Sequence, residues 1–151
     1  MVSLGDGPGV YKEKITKLGK VESYDAFDGA PFTEIATEGR CKFLDLSVPV
    51  YHLKKYDWAI SMEVVEHIPE EYEKNYLDNL ARYAIEGIIF SWAKPGQGGH
   101  SHVNEKPFEY AVEQLRDRGF KLDADLSKEI QNAADLSWLK ANLNIFVRVN
   151  E

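Results

Sequence analysis

A short apolar run that breaks into alternating glycines is the strongest constraint in this chain. Val2-Ser3-Leu4 runs into Gly5-Asp6-Gly7-Pro8-Gly9, and an amphipathic helical stretch, Val10–Leu18, begins at once. Glycines at alternate positions let the backbone turn tightly and let a ligand lie against it with no Cβ in the way. The helix that follows offers free N–H groups to a carboxylate or phosphate. The spacing separates ligand classes. A dinucleotide loop, G-x-G-x-x-G, would need glycine at position 10, which is Val10. A phosphate P-loop needs Gly-Lys-Ser/Thr, which is absent here. What remains is G-x-G-x-G after a strand, or an ordinary turn rich in Gly and Pro.

The rest of the chain repeats the strand–helix alternation. Strand patterns fall at Val21–Asp25, Cys41–Leu44, Tyr56–Met62, Gly87–Trp92, Phe120–Leu122 and Leu143–Val149. Helical patterns fall at Val10–Leu18 (Val10, Tyr11, Ile15 and Leu18 inward), Phe32–Thr37, Pro69–Ala84, Pro107–Arg118 and Ser127–Leu139, the last with Ser127 as cap. Pro69 suits a first helical position, and Tyr72, Tyr76, Leu80 and Tyr83 share one face. The segment between Asp45 and Tyr56 is too short for a full crossover helix. Such alternation implies an α/β sheet with helices on both faces and ligands at the carboxyl ends of its strands. Neither a repeat nor a linker interrupts it, so one domain over residues 1–151 is expected. With 44% apolar residues the chain can fill a core, and a chain of this size buries roughly 68–70% of its unfolded surface. The balance of 18 Lys+Arg against 25 Asp+Glu gives a charge of −7 and argues against nucleic acid. No apolar run reaches the ~18 residues of a membrane span. The single cysteine, Cys41, and an N-terminal stretch with no signal-peptide core point to the reducing cytoplasm.

Two carboxylates fall after successive strands. Asp25 lies about 20 residues past the first glycine, where a carboxylate can accept both hydroxyls of a ribose; Asp28 is a rival for that place. Asp45-Leu46 follows the third strand, where an acceptor can meet an exocyclic amine while an apolar side chain covers a ring. The fourth strand then leads into Ser61-Met62-Glu63-Val64-Val65-Glu66-His67-Ile68-Pro69. In these features together the chain resembles the class I S-adenosylmethionine (SAM)-dependent methyltransferases. The Glu-x-x-Glu-His-Ile-Pro segment looks most like the branch that includes ubiquinone-biosynthesis O-methyltransferases and related small-molecule enzymes.

The resemblance implies a Rossmann-like αβα sandwich with strand order 3-2-1-4-5-7-6 and strand 7 antiparallel. It implies SAM as cofactor and S-adenosylhomocysteine as product. Gly5, Gly7 and Gly9 would face the methionine part, Asp25 the ribose, Asp45 and Leu46 the adenine, and Ser61, Met62 and Glu63 the sulfonium. Asp6 would meet the methionine amino group or weaken binding. The family usually has an acidic residue where this chain has Ser3. It also carries helices ahead of its first strand that cover the cofactor; here the first strand pattern starts at residue 2. An open substrate side covered by a second copy or a partner chain is therefore expected.

Methyl transfer to oxygen or nitrogen also calls for a base near neutral pH, for which histidine is suited. Trp92–Asn104 follows the fifth strand, with glycines at positions 96, 98 and 99 and histidines at 100 and 102. It reads as a substrate lid or as a polar surface loop. The catalytic candidates are His102, then His100 and His67. Glu63, Glu66 and His67 could hold a divalent metal, as some relatives of the ubiquinone branch do. The simpler reading, followed here, has Glu66 and His67 capping a helix, with no metal. The expected function is methyl transfer to O or N of a small molecule. The alternative is a SAM-binding module or fragment without catalysis, acting as a sensor or partner subunit.

Overall fold

Short apolar runs buried on both faces build the centre of the molecule, a sheet of seven strands. The computed structural model describes residues 1–149; the final two residues of the expected 1–151 unit lie outside the described residues. The strands are β1 (Val2–Leu4), β2 (Asp25–Asp28), β3 (Lys42–Phe43), β4 (Tyr56–Ser61), β5 (Ala84–Phe90), β6 (Phe120–Asp123) and β7 (Asn144–Arg148). Their order is β3-β2-β1-β4-β5-β7-β6, with β7 antiparallel to both neighbours and the remaining pairs parallel. This is the Rossmann-like order that the resemblance implies.

Neighbouring residues along a strand serve opposite faces. Ala59 and Ile88 join the larger apolar cluster; Ile60 and Ile89 belong to the smaller one. Helices α3 (Glu73–Tyr83) and α4 (Phe108–Arg116) cover the first face, through Tyr76, Leu77, Leu80, Ala111 and Leu115. Helix α1 (Val10–Lys17) lies on the second through Tyr11 and Ile15, while Val10 and Leu18 are exposed rather than inward. The short α2 (Thr33–Ala36) adjoins β3, where the Phe43 amide donates to Glu34 Oε1 at 3.1 Å. No crossover helix lies between β3 and β4. That stretch is held instead by buried Asn79, whose amide group binds the Val50 N–H at 2.8 Å and the carbonyls of Leu46 and Val48 at 3.2 and 2.8 Å. No helix among the described residues is long and apolar enough to cross a membrane.

Three local expectations are corrected. The second strand is Asp25–Asp28, not Val21–Asp25, because β1 fixes its register: Val2 pairs with Asp25 and Leu4 with Phe27. The helix expected from Pro69 opens with a 3₁₀ turn, Glu70–Tyr72, which leaves Tyr72 exposed. The stretch Ser127–Leu139 divides into α5 (Ala124–Ala133) and α6 (Ser137–Asn142). Asp123 rather than Ser127 caps α5, accepting the Leu126 N–H at 3.0 Å. The Ser127 hydroxyl is taken by β7, accepting the Ile145 N–H at 2.8 Å.

Deep in the larger cluster, Ser61 Oγ donates to the Leu4 carbonyl and meets Tyr76 Oη, both at 2.6 Å, tying β1, β4 and α3 together. Tyr76→Phe leaves the Ser61 oxygen short of a partner in a fully buried place. Urea unfolding should show a loss of about 1–3 kcal/mol. A loss below about 0.5 kcal/mol, typical of surface changes, would mean that the three elements are held by packing alone.

Candidate functional site

The glycine turn reaches its position through backbone bonds. The N–H groups of Gly5 and Asp6 both donate to the Phe27 carbonyl, at 2.8 and 3.0 Å. Gly5 has φ 92°, and a Cβ there would overlap both methyl groups of Val64. The Gly7 N–H donates to Asp28 Oδ2 at 2.7 Å, and Asp28 Oδ1 accepts the Ala30 N–H at 2.8 Å. A cavity of about 570 Å³ opens between this turn, Asp28, Asp45-Leu46 and Met62-Glu63, with His67 and His100 on its wall. It lies at the carboxyl ends of β1, β2 and β4, where ligands of open α/β sheets bind.

The structure places most of the expected cofactor residues on this cavity: Gly5, Asp6, Gly7, Asp45, Leu46, Met62 and Glu63. Others lie elsewhere. Asp25 opens β2 at the opposite edge of the sheet, where its carboxylate accepts the Tyr56 hydroxyl at 2.8 Å and pairs with Lys54 at 3.4 Å. Burial pushes the Asp25 carboxyl up, but those two partners outweigh it and hold it below the usual range. The shifted strand brings Asp28 to the cavity in its stead. Gly9 packs on Arg40 and Cys41 rather than facing the cavity, and Ser61 is sealed in the core. Asp6 is 1% exposed and its carboxylate accepts the Tyr24 hydroxyl at 3.1 Å. Burial, reinforced by the Asp6 charge, pushes the neighbouring Cys41 thiol up to about 11, which suits a buried structural cysteine.

After β4 the chain turns through Glu63, whose φ of 54° is rare for a residue with a side chain. Its carboxylate is tied down: Oε2 accepts from Gln97 at 2.7 Å and Oε1 from Asn142 at 3.1 Å. The 3₁₀ turn Val65–His67 follows. The loop from Ala93 to Lys106 docks on it, since the N–H groups of Val103 and Asn104 both donate to the Glu66 carbonyl, at 2.8 and 3.1 Å. This contact gathers Glu66, His67 and His102, each of which offers one ligand-type atom within 4.8 Å of the others. Glu66 does not cap a helix. It is fully buried, and neither carboxylate oxygen has a hydrogen-bond partner. Burial pushes its carboxyl up to about 7; the nearby backbone amides of Glu66 and Ala93, outside hydrogen-bonding geometry, pull more weakly the other way.

The two histidines are anchored from outside the cluster. His67 Nδ1 faces the Ser101 carbonyl at 3.2 Å and His102 Nδ1 faces Glu105 Oε1 at 3.1 Å. Both acceptors place the ring proton on Nδ1 and leave Nε2 as the basic nitrogen, which in His102 lies against Gly99. His100 is exposed and lies outside the cluster. His67 lines the first cavity, whereas His102 lines a second of about 720 Å³ between the loop and α6, walled by Gly96, Gly98 and Trp138. Glu63 borders both. The sequence reading missed Glu105, Gln97 and Asn142. The spacing of Glu105, three residues after His102, was the one available signal.

No family model and no curated protein matches this sequence. Solved structures do match its fold. Magnesium protoporphyrin IX methyltransferase from Synechocystis, solved with bound S-adenosylhomocysteine, superposes with TM-score 0.69 at 18% identity, covering 98% of this chain and 73% of that one. The methyltransferase domain of bacterial Hen1 gives 0.70 at 15% identity, covering 99% and 89%. A pericyclic reaction enzyme gives 0.66 at 12% identity, and this chain spans 42% of its length. The chain has the class I SAM-dependent methyltransferase fold.

A fully buried carboxyl with no partner is a cost to the folded state, about 1 kcal/mol or more. Glu66→Met, an apolar side chain of similar length, should therefore raise stability by that amount in urea unfolding with a chelator present. Lower stability would mean that the carboxyl is paired in the folded protein.

Proposed function

We propose that this chain binds SAM in the first cavity and transfers its methyl group to an oxygen or nitrogen of a small acceptor. The observation that carries the proposal is the convergence of the glycine turn, Asp28 and Asp45-Leu46 on one cavity at the carboxyl ends of β1, β2 and β4. The fold alone is insufficient support, since a pericyclic reaction enzyme shares it. Asp28 is the ribose acceptor in this reading, Asp45 meets the adenine amine, and Leu46 lies against the ring. Met62 and Glu63 border the reacting end. Bound SAM supplies an electrophilic methyl on a sulfonium; the protein's task is alignment and exclusion of water.

The acceptor belongs in the second cavity, across Glu63 from the cofactor. Glu66, His67 and His102 stand between the two and would hold a divalent cation. An unpartnered carboxylate and two imidazoles that bring one ligand-type atom each within 4.8 Å of one another form a suitable donor set. Such an ion favours the ionised form of an acceptor hydroxyl. Glu66 would neutralise its charge, and His102, lining the second cavity, would orient the acceptor oxygen. The reading without catalysis, a SAM-binding sensor or partner subunit, leaves these three side chains without a task.

Calorimetry with S-adenosylhomocysteine tests the first claim, and absence of binding at millimolar ligand would sink it. Asp28→Ala should weaken binding by about 1–3 kcal/mol, since it removes a charged acceptor. Asp25→Ala, at the far edge of the sheet, should leave affinity unchanged. The reverse pattern would return the ribose to Asp25. For the cation, Mn²⁺ binding followed by electron paramagnetic resonance should be lost in Glu66→Ala. Equal binding by both proteins would place the ion elsewhere.

A further inference from the structure

We infer that Glu105 is the positioning residue of the histidine cluster: its carboxylate fixes the His102 proton on Nδ1 and ties that ring to the wall of the acceptor cavity. The inference rests on the reading of Glu66, His67 and His102 as a cation-holding set, and it reaches a residue outside that set. Glu105 sits at the end of the loop, and among the described residues it is not one of the clustered ligand groups.

Its two oxygens are used in a specific way. Oε2 accepts the Gly96 N–H at 2.7 Å. Oε1 accepts the Gly98 N–H at 2.9 Å and faces His102 Nδ1 at 3.1 Å. A carboxylate that takes two backbone amides acts as an acceptor at both oxygens, so the third bond draws its proton from the ring. The pair is mostly out of water, with side chains 10% and 21% exposed for His102 and Glu105. Gly96 and Gly98 have φ of 84° and 67°, the left-handed region in which a side chain would be strained. Those conformations belong to the turn whose amides meet one acceptor. Ser101, at φ 62°, accepts the same kind of strain while its carbonyl serves His67. One loop therefore sets the tautomer of both imidazoles, whose rings meet edge to face at 5.0 Å between centroids.

The consequence is a link between two functions. Gly96, Gly98 and His102 all line the second cavity, and Glu105 is bonded to all three. The shape of the acceptor wall and the availability of the His102 Nε2 lone pair thus depend on the same carboxylate. Metal-binding histidines commonly gain orientation and basicity from such an outer carboxylate, and losing it commonly costs 10–100-fold in metal affinity.

Nitrogen-15 NMR of the imidazoles in metal-free protein, at about pH 8.5 where histidine is ordinarily neutral, reads the tautomer directly. Wild-type His102 should be protonated on Nδ1. Glu105→Gln, whose amide can donate as well as accept, should move it toward the Nε2–H form. Mn²⁺ affinity should fall about 10-fold or more in the same variant. A wild-type His102 with its proton on Nε2, or a tautomer unchanged in Glu105→Gln, would overturn the inference; the wild-type measurement decides even where the variant fails to fold. Should the wild type show the Nδ1–H form yet bind no Mn²⁺, the positioning role stands and the cation reading fails.

Discussion

Both methyl groups of Val64 lie where a side chain at position 5 would begin. The exit of β1 and the exit of β4 can touch only because residue 5 is glycine. That contact fixes the distance between the glycine turn and the segment Glu63–His67, which are the two walls of the first cavity. The turn cannot relax outward, because the N–H groups of Gly5 and Asp6 are both held by the Phe27 carbonyl. The segment after β4 cannot retreat either, since Glu63 is bonded through its amide to Ser91 at 2.9 Å and through its carboxylate to Gln97 and Asn142. A missing Cβ and a few hydrogen bonds thus define the site before any ligand arrives.

Polar groups inside the molecule divide into two kinds. Ser61, Asn79 and Glu73 are buried and bonded; Glu73 accepts from Asn104 at 2.9 Å and Tyr110 at 2.6 Å. These groups join elements that packing alone would leave free to slide, and their desolvation is offset by the bonds. Glu66 is the contrary case, buried with both oxygens unpartnered. Its neighbours His67 and His102 are bonded to the loop instead, through the Ser101 carbonyl and Glu105. A protein selected for stability alone would place an apolar side chain there, and such departures are expected where function is built in.

Layer arrangement was legible because the glycine turn and the alternation of strand and helix patterns allow few solutions, and strand order was legible only through the resemblance to the class I methyltransferases. The position of β2 was not. Val21-Glu22-Ser23-Tyr24-Asp25 offers the strand-favouring Val21 and Tyr24, whereas Phe27–Pro31 reads as a turn. Register with β1, a tertiary constraint, selects the later segment and thereby exchanges Asp25 for Asp28 at the cavity. The orientation of Asp6 was hidden for a related reason: a carboxylate within a glycine loop can point to the ligand or away from it, and the bond from Tyr24 is a tertiary contact. The role of Glu105 was hidden because a loop's hydrogen bonds depend on backbone dihedrals, which residue types at Gly96, Gly98 and Ser101 permit without specifying. His102 and His67 were identifiable as candidates. Their convergence on Glu66 required the docking of Val103 and Asn104 on the Glu66 carbonyl.

The bond between the Phe43 amide and Glu34 acts at the outer margin of the sheet. A terminal strand leaves every second N–H turned away from its partner, an invitation for another chain to add itself. Here β3 contributes only two residues, and the outward N–H of Phe43 is already occupied by a carboxylate from its own helix. An incoming strand would have to displace that carboxylate and desolvate it in the process. Phe32, Ile35 and Phe43 can therefore remain exposed on this margin while the backbone beside them resists templated growth into a larger aggregate.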